Sequence, residues 1–421
     1  MRRATYSIVA TLLATPGVAQ DHPLTVDMTE LYRVGGLNAQ EWAFFGPGLR
    51  MRFDGAGNLL VLDVVNQRVV VVGPDGQLVR IVGREGEGPG EFQMSLVIAV
   101  WRDGRFAVPD MGHAAIQVFN ADGELEDFVR LADENTPLAA TLGFRERIRA
   151  DPLGDGIIAQ GVGGMLAQMA NFANRRMGQP EDENPAGVDD RALEMLDLSG
   201  DVMTSTPILH GWRAPRPDVS LSSADAADWS RVVATTEDRH FEPGFHWDVL
   251  PNGTIAYSDS SAYAIKLARP DGSVIAVLTR PLSPEAVSER IQQEMIASRL
   301  QRLEERLARG SPSAGALPPL DPDEGRRRIR GRGFYHEVPV VRGIAVTWDG
   351  GLWIQRRGED PWDDRGPIDV FNADRAYLGT LAVGRPAMPA AFGPDGLVVH
   401  MERDELDIPT LVVSQLWMEA R

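Results

Sequence analysis

The chain contains no cysteine. Disulfides, thiolate metal sites and lipid attachment through a lipobox cysteine are therefore excluded. Lysine is almost missing too: Lys266 is the only one, and arginine supplies the rest of the basic charge. No apolar run is long enough to span a bilayer, so no membrane span is expected. Positive charge is in deficit, with 60 Asp and Glu against 42 Lys and Arg for a net charge of −18. Such a balance argues against non-specific binding to nucleic acid or anionic membranes. Standard catalytic signatures are also wanting. There is no HExxH, GxSxG, Walker or EF-hand pattern, and the glycine-rich run at 83–90 does not open a helix. No catalytic residue and no cofactor are assigned.

Glycine (43) and proline (29) are plentiful and spread along the chain, as a turn-rich all-β protein requires. At the start, Arg2 and Arg3 precede a short apolar core at 6–13 and the small residues of Pro16-Gly17-Val18-Ala19. This tripartite order predicts an export signal over 1–19, cut near Ala19, and hence a periplasmic or extracellular protein.

The stretch 53–92 organises the remainder. Its β-prone runs at 59–62, 69–72 and 78–82 are separated by the turn-forming 63–67 and Pro74-Asp75-Gly76. A meander this short cannot bury both faces of its own sheet, so it must stack on copies of itself. Copies recur at 97–131, at 146–160 with 192–209, at 245–282, at 336–383 and at 388–419. The last is one strand short. ELYRVG at 30–35 reads like QLVRIVG at 77–83 and supplies the strand missing from the last unit. A ring closed this way has no exposed edges. The expectation is one all-β domain over 24–421, a six-bladed β-propeller closed by an N-terminal strand.

The run GNLLVLDVVNQRVVVVGPDG, with Asp63, Asn66 and Arg68, resembles the NHL repeat. GREGEGPGEF resembles the inter-blade linker of exported bacterial six-bladed propellers of the NHL/TolB-like group. The pattern departs along the chain, Asn66 giving way to His113 and then Ala262, and the aspartate being lost from the third, fifth and sixth units. The resemblance implies the fold and leaves function open, because such propellers host binding proteins, lyases and hydrolases. Asp63, Asp110 and Asp259 are expected to hold local Asx-type turns.

Long segments fall on one face of such a ring: 161–190, 356–367 and 402–409 inside blades, 210–242 and 283–335 between them. The last should form a helix capped by Ser283, with Pro284 at its first position and an apolar stripe at Val287, Ile291, Met295, Leu300, Leu303 and Leu307. A flexible linker and the Arg-rich 326–332 follow. These arginines are expected to pair with acidic loops such as 181–183 or Asp363-Asp364.

Aligning the innermost strands places Arg50, Arg147 and His246 at one level of the channel mouth, with His336, Glu337 and Arg342 close by. Convergent guanidiniums suit a carboxylate or phosphate. A monomeric scaffold holding a small anion or a protein partner is one expectation. A metal-dependent hydrolase or lyase using His246, His336 and Glu337 is the alternative, since these are ligand types of catalytic zinc.

Overall fold

The computed structural model describes residues 21–131, 147–161, 191–215, 239–308, 321–384 and 386–418. The leader expected over 1–19 and the acidic loop at 181–183 lie outside the described residues.

Six four-stranded antiparallel sheets make the body. The first blade is β2 (Leu49–Phe53), β3 (Leu59–Asp63), β4 (Arg68–Val72) and β5 (Leu78–Val82). In the second are β6 (Ala99–Val100), β7 (Phe106–Asp110), β8 (Ala115–Phe119) and β9 (Leu125–Arg130). The third holds β10 (Ile148–Ala150), β11 (Ile157–Gln160), β12 (Ala192–Asp197) and β13 (Thr204–His210). Blade four is β14 (His246–Val249), β15 (Ile255–Ser258), β16 (Ala264–Ala268) and β17 (Val274–Thr279). After a two-stranded ribbon of β18 (Glu285–Ala286) and β19 (Glu337–Val338) comes blade five, with β20 (Val341–Val346), β21 (Leu352–Arg356), β22 (Ile368–Phe371) and β23 (Tyr377–Leu381). Blade six is β24 (Ala391–Phe392), β25 (Leu397–Arg403) and β26 (Pro409–Met418), completed by β1 (Val26–Gly35). β1 runs antiparallel to β26, from Val26 opposite Met418 to Gly35 opposite Thr410. The N-terminal closure expected from the sequence is therefore present.

Six apolar clusters lie one between each neighbouring pair of blades, including sixth and first. Middle strands face such clusters on both sides, which is why all of β3, β4, β7 and β8 except Arg68 is buried. First-to-second and third-to-fourth strand links are turns of only four to six residues. At Gly76 the backbone is left-handed (φ 76°) and a Cβ would press on Tyr32 of β1, so this glycine serves both its turn and the closing strand.

Asp63 and Asp110 do hold local partners, Asp63 accepting from the Asn66 side chain at 2.7 Å and Asp110 meeting His113 at 2.8 Å, whereas Asp259 pairs with Lys266 of the next strand at 2.8 Å. Each also accepts a backbone N–H from the linker entering its blade: Gly46 at 3.3 Å, Gln93 at 2.8 Å and Trp212 at 2.7 Å. The aspartate thus fixes blade to linker as well as strand to strand.

The helical insertion between blades four and five differs from expectation at both ends. Glu285 and Ala286 pair with Val338 and Glu337, which takes their backbone out of any helix. Helix α1 (Glu289–Ala308) starts later, its first turn capped by Ser288 rather than Ser283. Ile291, Met295 and Leu303 of the expected stripe are buried. Most of the Arg-rich run is helical, in α2 (Pro322–Gly331), because Asp321 caps it and Pro322 sits at its first position. Arg326 pairs with Glu304 of α1 and with Asp323, whereas Asp364 pairs with Arg342.

Before β1, the chain straps blade five. Leu24 N–H donates to Thr380 O and Thr380 N–H donates to His22 O, at 2.9 and 2.7 Å. Two buried guanidiniums, Arg280 and Arg356, share the buried Asp369 carboxylate at 2.7 and 3.6 Å. Asp21 supplies the second negative charge, 2.9 Å from Arg280 and 2.7 Å from Arg356. Burial pushes the Asp21 carboxyl up, but Arg356 and then Arg280 more than offset this and hold it below its ordinary value. Asp21→Asn is expected to lower unfolding free energy by about 2 kcal/mol, discounted from the usual cost of breaking a buried pair because Asp21 is partly exposed. A depressed carboxyl stabilises above its unfolded pKa and loses this effect in acid. The gap between variant and parent in denaturant melts should therefore close as pH falls below the ordinary carboxylate range; equal stability at neutral pH would dismiss the strap.

Candidate functional site

The innermost strand of blade one alternates burial. On β2, Leu49, Met51 and Phe53 are buried in the blade interface, whereas Arg50 is exposed and Arg52 half-buried, so both arginines stand on the other side, toward the axis. Arg147 and Arg149 repeat this spacing in blade three, as do His246 and Asp248 in blade four. These side chains line two cavities in the channel. The smaller, about 450 Å³, takes Arg50, Arg191 and Phe245; the larger, about 670 Å³, takes Arg149, Asp248 and Arg342. Arg52, Arg147 and His246 border both and form a collar between them. The larger cavity continues to the tight-turn end, where Trp101, Pro152, Pro251 and Trp348 line it. Most of the channel space therefore lies away from the mouth that the sequence pointed to.

Asp248 is buried and bound from three blades. It accepts from Arg149 Nε at 2.6 Å and from the backbone N–H groups of Val249 and Val346 at 3.0 Å each, with Arg147 at 3.5 Å. Burial raises its pKa, yet Arg149 and Arg147 outweigh that and bring it down to about 2. It is a fixed anion at neutral pH. Across both cavities eight arginines face three aspartates, an excess of positive charge inside an acidic protein.

Among the described residues, Arg50 and Arg52 have no carboxylate partner. Their terminal nitrogens donate to the carbonyls of Leu49 and Met51, at 3.2 and 2.7 Å. Burial, followed by repulsion from Arg149, pushes the Arg52 pKa far below its usual value, with Asp248 opposing. An anion brought to Arg52 would relieve both effects.

Of the six residues expected at the mouth, Arg50, Arg147 and His246 line the smaller cavity together, and Arg342 lines the larger. Arg342 also donates to Pro361 O at 2.8 Å and pairs with Asp364. His336 and Glu337 line neither cavity. His336 is exposed with its ring against Tyr335, and Glu337 accepts from the Ser261 hydroxyl in the ribbon that ties the insertion to the ring. Among the described residues, no group of three or more His, Asp or Glu side chains is gathered to hold a metal ion. The set of His246, His336 and Glu337 that the zinc alternative needs is not assembled. Alignment of the blades at a single level does not reach Arg52 and Arg149. They stand two residues further along their strands than Arg50 and Arg147, where the period-2 alternation of a strand returns to the same face.

No family model matches the chain, and no curated protein does. Among solved structures, a member of the DUF4221 family from Bacteroides vulgatus is 9% identical, the match covering 93% of this chain and 99% of that one with a TM-score of 0.45. Virginiamycin B lyase from Staphylococcus aureus is 9% identical over 92% and 99%, at 0.39. Regucalcin from Agrobacterium tumefaciens, a calcium-binding protein, is 12% identical over 95% and 96%, at 0.36. At such identities and scores they say nothing of the site.

Burial, then the charges of Arg147, Arg342 and Arg191, lower the His246 pKa from 6.5 to about 4. Between those values the unfolded chain takes up a proton that the folded one refuses. The associated stability is complete above pH 6.5 and drains away as the pH falls toward 4. His246→Gln should therefore lose melting temperature less steeply than the parent over this range. Parallel curves would show that the imidazole is not held neutral by the collar.

Proposed function

We propose that the protein is an exported binding module, freed of its leader near Ala19, whose channel holds a small anionic ligand. One observation carries this reading: Arg52 reaches the meeting point of the two cavities with a backbone carbonyl as its acceptor and other arginines around it. Carboxylates and phosphates fit such a site, because charge-assisted hydrogen bonds from guanidinium are stronger than neutral ones. A channel closed by low-dielectric walls strengthens the field that draws an anion in. An excess of positive charge inside the channel of a chain with net charge −18 supports a small ligand rather than a polyanion.

Titration calorimetry with inorganic phosphate and with acetate tests the reading. Arg52→Met is expected to weaken binding of either by about 10- to 100-fold, the usual worth of a hydrogen bond to a charged group. The same change removes a like charge from a crowded cluster, so the melting temperature should hold or rise. Unaltered affinity in Arg52→Met, or no binding by the parent, would overturn the proposal.

A further inference from the structure

Arg50 and Arg52 lie two residues apart on the same side of β2, and β-strand rise puts their backbones about 7 Å apart along the channel. Arg147 and Arg149 give blade three the same pair of levels. Arg50 borders only the smaller cavity and Arg149 only the larger, with Arg52 and Arg147 between. Among the described residues neither arginine of β2 is matched by a carboxylate, and at the lower level Asp248 is already taken up by Arg149. Two uncompensated positions are therefore stacked along the axis.

The walls on either side of β2 are of another kind. Blade two also sends Arg102, Asp103 and Arg105 to the tight-turn end of the larger cavity, but beside β2 blade two contributes Val97 and Ala99, and blade six contributes Pro389 and Ala391. Those beside β2 carry no charge and no side-chain hydrogen-bonding group. The arginine pair of blade one is therefore flanked on both sides by apolar wall, blades two and six being its neighbours in the ring.

From this juxtaposition we infer that the ligand is an α,ω-dicarboxylate of medium length, one carboxylate at the Arg50 level, the other at the Arg52 level, and its methylene spacer against blades two and six. The inference rests on the anion-binding reading above and adds the number of charged groups, their spacing and the nature of the link. Joining two weakly bound carboxylates makes the second contact intramolecular, so affinity rises steeply when the spacer matches the span and falls when it does not.

The experiment is a calorimetric series on the full chain with acetate and the linear diacids from malonate to suberate. Affinity should peak near adipate and pimelate, at least tenfold above acetate, and Arg50→Met should reduce the best diacid to about the level of acetate. Arg50→Lys, which keeps the charge, should retain the optimum. Melting curves of each variant establish that it is folded. A flat series, or a peak at the shortest diacid, overturns the two-level site, while acetate binding that still depends on Arg52 leaves the anion-binding reading standing. Should no probe bind the parent, or should Arg52→Met bind every probe as well as the parent does, both fall together.

Discussion

A blade of four twisted strands has two apolar faces and cannot cover either by itself. Everything else in this molecule depends on that constraint. The solution is a circle in which each face meets a neighbour, and the six inter-blade clusters are its record. Once the large side chains of the inner strands turn into those interfaces, strand alternation commits the intervening residues to the axis. The channel is thus a by-product of closure, and its chemistry is written in whatever the alternate positions carry. In blades one and three they carry arginine.

That choice sets up an unusual distribution of charge. The chain as a whole is strongly acidic, yet its central cavities are dominated by guanidiniums, with Asp248 as the buried counter-charge. Asp248 is held by side-chain and backbone donors from three blades, so its position is over-determined. It neutralises Arg149 and leaves the β2 arginines to the cavity. Burying like charges together is unfavourable unless something offsets it, and the stabilisation available from the blade interfaces is what allows the arrangement to persist.

Much of the architecture was legible in the residues. Turn chemistry at Pro74-Asp75-Gly76 and its repeats marked the strands, and the likeness of 30–35 to 77–83 marked the closure, because both follow from local pattern. The start of α1 was not legible: Ser283 and Pro284 form a good local helix signal, but pairing of Glu285 and Ala286 with β19 is a long-range event that overrides it. α2 was missed for the opposite reason, its capping Asp321 and Pro322 being read as part of a linker. Position in the repeat put Arg50, Arg147 and His246 on the channel wall, where the structure has them. His336 and Glu337 lie off that wall, because proximity along the chain to Arg342 does not survive the ribbon.

The pairing of β1 with β26 also governs the order in which the molecule can assemble. Blade six stays incomplete until the chain's final strand, Pro409–Met418, is available to the strand that was made first. The first blade leans on the same junction, since Tyr32 of β1 lies against Gly76 and its cluster includes Val399 and Val413. Synthesis from the amino terminus therefore yields an open arc until β26 has been made. Contacts of such large sequence separation form slowly, because chain entropy is lost before they are gained. No product that stops short of β26 can possess the native circle.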